Sequence, residues 1–127
     1  MRAIAPKLLL VSAAVIFGGG SALHAAAFFS KNAAAIGAAD LSPILRADLK
    51  ALWLADSTTL MSMALVCVLL AVRPNSASPW LTLLLALIPI STALLVYTFL
   101  GPFYAGHLLI VGAALLVAAG LLSKRPV

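Results

Sequence analysis

Four side chains in this sequence could do chemistry together: His24, Asp56, Tyr97 and His107. An imidazole exchanges protons near neutral pH and ligates metals, a carboxylate orients it or balances its charge, and a phenol adds a hydrogen bond. Each lies in an otherwise apolar run, as in Leu52-Trp53-Leu54-Ala55-Asp56-Ser57. An aspartate inside such a run costs roughly 2.5–3.5 kcal/mol on membrane-insertion scales, which marks Asp56 as a candidate functional residue. Several chemistries suit the set. His–Asp hydrogen bonds could simply join helices. Two imidazoles and a carboxylate could hold Zn, Cu, Fe or haem iron. A histidine oriented by Asp56 could serve as acid or base on a lipid-like substrate, and a buried acid could carry a proton for a small transporter.

Composition decides what surrounds these groups. The chain has 127 residues, of which 65% are hydrophobic and 9% charged, with no glutamate. A water-soluble domain of this size could not hide so much apolar surface, so lipid must be its solvent. The net charge of +5 is spread over ends and turns and does not form a stripe, which excludes nucleic acid as the expected partner. The lone cysteine, Cys67, has neither an internal disulfide partner nor metal-ligand spacing around it, and reads as a small buried or lipid-facing hydrophobe.

Hydropathy predicts an all-α bundle of four transmembrane helices forming a single integral membrane domain over 1–127, with spans at 8–29, 52–72, 80–100 and 103–122. The first run has Arg2 and Lys7 before it and Ala25-Ala26-Ala27 at its end, so a cleaved signal peptide is an alternative; its length favours a retained span. Ala14, Gly18, Ala22 and Ala26 form a small-residue stripe suited to close packing, within the chain or between copies. After a polar interruption from Ser30 to Leu41, Ser42-Pro43 reads as an N-cap followed by proline at the first helical position. Ile44, Leu45, Leu49 and Leu52 alternate with Arg46, Asp48 and Lys50, which predicts an amphipathic outer-surface extension leading into the second span. Arg46 and Lys50 are candidate contacts for lipid phosphates, or else a solvated charged face.

Trp53 and Trp80 suit membrane interfaces. Ser78-Pro79 repeats the cap-and-proline start, Pro89 should kink the third span with Ser91 and Thr92 covering the freed carbonyl, and Gly101-Pro102 makes a tight turn between antiparallel neighbours. One side carries Arg2, Lys7, Arg73, Lys124 and Arg125, the other Lys31, Arg46 and Lys50 offset by Asp40 and Asp48. Positive-inside logic therefore expects both termini in the cytoplasm, in a bacterial inner membrane.

Counting at 1.5 Å per residue from the cytoplasmic edge puts His24 and Asp56 each roughly 24 Å in, His107 roughly 22 Å and Tyr97 roughly 25 Å. The four share one layer near the outer leaflet. If they turn inward, His24, Asp56 and His107 form a catalytic or metal-binding trio lined by Trp53, Ser57, Tyr97 and Tyr104. The four-span layout resembles the small multidrug transporters in size, but the first-span glutamate of that family has no counterpart here. The sequence thus supports a small accessory or scaffold subunit with a polar pocket, in contact with the bilayer and with other membrane subunits or itself. The rivals are an enzyme or binding protein using His24, Asp56 and His107 on a metal, haem or lipid-like ligand, and a proton-coupled transporter. The cofactor, if any, is unknown from sequence.

Overall fold

Alternating apolar and turn-forming segments give five α-helices in the computed structural model, which describes residues 4–73 and 78–123. They are α1 (Ile4–Ala27), α2 (Ala33–Ala38), α3 (Pro43–Val72), α4 (Pro79–Leu100) and α5 (Tyr104–Leu122), with one π-helical turn (Phe28–Asn32) joining α1 to α2. Pro74, and the charges Arg2, Lys124 and Arg125, lie outside the described residues. Four helical stretches are long and apolar enough to cross a bilayer, with mean hydropathy between 1.8 and 2.3, and no strand occurs among the described residues. The protein is a four-span integral membrane bundle.

The polar interruption expected from Ser30 to Leu41 is mostly helical. Helix continues from Ile4 to Ala38, and only Ala39–Ser42 leaves it. Side-chain bonding and local propensity together explain this. Asn32 Nδ2 donates to the Ala27 carbonyl at 2.9 Å and covers an acceptor at the widened turn, and Ala33-Ala34-Ala35 then restarts a strong helix-forming run. The chain reverses after α2, where Arg46 folds back and donates to the carbonyls of Ala39 and Leu41, both at 3.1 Å. Arg46 therefore caps the α2–α3 turn through one terminal nitrogen of its guanidinium. Ser42 caps α3 as expected, accepting from the Leu45 N–H at 3.3 Å. The amphipathic turns and the second span are one uninterrupted helix of 30 residues.

The helix α1 is the centre of the bundle. It packs against α3 on one side and α5 on the other, and α4 packs on α5, whereas α3 and α4 make no extended contact. The segment weighed as a signal-like leader thus lies between α3 and α5 in the bundle. Its Phe17 is 1% exposed, and the buried core around it is rich in alanine: Ala13, Ala64, Ala86, Ala93, Ala113 and Ala119. Large side chains such as Val15, Leu65, Leu84 and Leu94 point outward. Lipid solvates leucine as well as a protein core does, so association depends on close packing, which small residues permit. The predicted α1 stripe contributes at Ala14, which is buried, and at Gly18, where an added Cβ would lie 3.6 Å from Ala64 on α3; Ala22 and Ala26 are exposed. A second small-residue stripe, on α5, was not expected. Gly106, Gly112, Ala113, Ala119 and Gly120 are all buried there. A Cβ at Gly112 would fall 2.5 Å from the Phe17 ring, so that ring lies directly on the α5 backbone.

Pro89 is fully buried, and α4 continues through it. Ser91 and Thr92 do not cover the carbonyl freed by the proline, which belongs to Leu85. Both donate to Ile88, at 2.9 Å, because a serine or threonine hydroxyl reaches only three or four residues back. Gly101 takes the tight turn into α5 with φ +69°, where a Cβ would be strained. Cys67 is 1% exposed in the core, as its small apolar reading implies.

Candidate functional site

The last turns of α1 and the middle of α3 carry the polar groups that the structure brings together. On α1, Ser21 and His24 are three residues apart and share a face; on α3, Trp53, Asp56 and Ser57 do the same. The two faces meet. Ser21 Oγ donates to the Ser57 carbonyl at 2.7 Å, a buried bond between antiparallel helices. One turn further along, Trp53 Nε1 donates to the His24 carbonyl at 3.0 Å. The Trp53 indole also stacks on the His24 imidazole, with centroids 4.5 Å apart and planes within 12°. This stack sets the orientation of the imidazole, whose Nε2 then lies 3.5 Å from Asp56 Oδ2. That distance suits an ion pair when the imidazole is protonated and is longer than a good hydrogen bond. The His24 and Asp56 side chains keep 31% and 40% of their exposure, so both remain accessible.

They are accessible from a cavity of about 480 Å³ lined by all four spanning helices. Its deep walls are apolar, from Ile16 and Phe17 on α1, Leu60 on α3, Val96 on α4 and Leu108 and Leu109 on α5. The one hydroxyl group at that depth, Thr92, is engaged by the Ile88 carbonyl. Polar side chains cluster where α1 passes into the π-helical turn: His24, Lys31, Asn32 and Asp56, with Tyr104 across from them. Lys31 and Asn32 had no place in the site as read from sequence. Their signal was a polar pair about two turns beyond His24, discounted because that stretch read as an interruption between helices.

Of the expected trio, His24 and Asp56 meet, and His107 stands apart from them. His107 is exposed, its Nδ1 lies 2.8 Å from the Tyr97 hydroxyl, and neither residue lines the cavity. On α5 the residues that face the cavity are Tyr104, Ala105, Leu108 and Leu109, and His107 falls on a neighbouring face, turned to Tyr97. Among the described residues no group of three His, Cys, Asp or Glu side chains could hold a metal ion, which corrects the ligand set His24, His107 and Asp56. Trp53 and Tyr104 do line the cavity, and Ser57 is buried between α1 and α3 instead.

Compared with family models, curated proteins and solved structures, the chain matches none. Function must therefore be argued from the geometry alone. The pair itself is testable as structure. A double-mutant cycle on His24→Ala and Asp56→Asn, read by reversible unfolding in detergent, should give a coupling of about 0.6 kcal/mol, the usual size for polar pairs between membrane helices. A coupling of zero would mean that the two groups do not interact in the folded protein.

Proposed function

We propose that this protein binds an amphipathic, lipid-like molecule, with its apolar part in the cavity between the four spans and its polar end at His24, Asp56, Lys31 and Asn32. The observation that carries this reading is the division within one cavity: deep apolar walls from every span, and charged side chains at one end only. A volume of about 480 Å³ falls within the range of small-molecule sites. The lack of extended contact between α3 and α4 supplies a sideways route from the bilayer, so the ligand need not pass through water. Positive-inside logic puts the polar end toward the outer leaflet, with Lys7 and Arg73 at the opposite, cytoplasmic end.

Binding can be read from Trp53. In a Trp80→Phe background it is the single remaining tryptophan, and lipids brominated along their chains quench indole fluorescence on contact. Quenching by a brominated lipid added to the detergent-solubilised protein should saturate. Gly20→Leu should abolish that saturation, because Gly20 lines the cavity and a larger side chain there projects toward Leu60. Linear quenching, identical in both proteins, would remove the binding reading. An accessory or scaffold role that needs no ligand would then stand.

A further inference from the structure

We propose that the cavity selects a zwitterionic headgroup, a primary ammonium joined to a phosphate diester as in amine-bearing phospholipids; this rests on the lipid-binding reading above. Asp56 and Lys31 both have hydrogen-bonding capacity left unmet among the described residues. Asp56 lies in a membrane-spanning helix, yet its nearest polar partner is His24 Nε2 at 3.5 Å, and no hydrogen bond reaches the carboxylate from the described residues. A carboxylate at that depth is stable only when paired, and its capacity to accept several hydrogen bonds matches an ammonium, which donates three. A quaternary ammonium donates none and would leave that capacity unmet. Lys31 lines the same end of the cavity, from the π-helical turn, and forms no ion pair among the described residues. Its long side chain can reach along the rim to a phosphate, with the Asn32 amide beside it. An anionic headgroup would satisfy Lys31 and be repelled by Asp56. An uncharged headgroup would satisfy neither. Only a ligand bearing both charges pairs with both side chains.

The experiment uses the Trp80→Phe protein in detergent with three chain-brominated lipids: phosphatidylethanolamine, phosphatidylglycerol and diacylglycerol. Half-saturation for phosphatidylethanolamine should come at a concentration about five- to tenfold lower than for the other two, the size expected of a charge-assisted hydrogen bond at a partly exposed site. Asp56→Asn should erase its margin over phosphatidylglycerol, and Asp56→Glu should keep it. Lys31→Gln should narrow its margin over diacylglycerol without abolishing it, because the contact of the ammonium with Asp56 remains, and Lys31→Arg should keep the margin whole. Saturable quenching with equal half-points for all three lipids, or with phosphatidylglycerol tightest, would overturn the headgroup assignment and leave lipid binding intact. Quenching that saturates for none of them would overturn lipid binding itself.

Discussion

Gly112→Ala should lower the thermal midpoint of the detergent-solubilised protein by about 5–10 °C, whereas Gly19→Ala should leave it unchanged or raise it. Both substitutions add one methyl group to a helix and gain the same intrinsic propensity, so their difference isolates the contact. At Gly19 nothing lies within 4 Å of the added Cβ, whereas at Gly112 the Phe17 ring is 2.5 Å away. Phe17 is wedged between α1, α3 and α5 and cannot retreat without opening the core. Overpacking of this kind costs about 1–3 kcal/mol, which is several degrees for a protein of this length. Phe17→Leu in the Gly112→Ala background should recover part of the loss, because a smaller side chain makes room for the methyl. Equal midpoints for Gly112→Ala and Gly19→Ala would show that α1 and α5 do not approach as described.

Trp53→Ala should destabilise the bundle by about 3 kcal/mol, at the lower end of the range for deleting a large aromatic side chain, because the indole is only partly buried. Trp53→Phe should cost about 1 kcal/mol, since it keeps a ring against His24 and Phe28 and loses the Nε1 bond to the His24 carbonyl. The order matters more than the sizes. Trp53 orients the imidazole, so Trp53→Ala should also eliminate the coupling between His24 and Asp56, and Trp53→Phe should retain it. A Trp53→Ala protein with native stability and an intact coupling would show that the stack is not what positions His24.

The four spans were legible because lipid imposes a length and a composition on each of them, and Ser42-Pro43 and Gly101-Pro102 were legible because backbone geometry restricts which residues can stand there. Rotation about the helix axis was not legible. His24 and Asp56 were correctly assigned to facing surfaces, but His107 was turned inward on the assumption that any histidine in a span must avoid lipid. In the structure it shares a hydrogen bond with its neighbour Tyr97 at an exposed position near the helix end. The sequence held the correcting signal in the spacing of Gly106, Gly112 and Gly120, which marks the face of α5 that touches other helices. The continuity of α1 into α2 was harder to see. It depends on one amide, Asn32, reaching a particular carbonyl, and hydropathy carries no trace of such a bond.

The π-helical turn has a consequence for how this protein tolerates change. It holds one residue more than an ordinary turn, and everything beyond it is rotated accordingly. If the same residues wound as a regular α-helix, or if one more were inserted, α2 would turn by about 100° relative to α1. Lys31 and Asn32 would then leave the mouth of the cavity together, and the backbone that Arg46 grips would move out of its reach. Deleting one amino acid between Phe28 and Ser30 removes only the surplus, so the turn becomes regular and α2 keeps its phase. The wide turn thus keeps the rim and the hairpin behind it in phase.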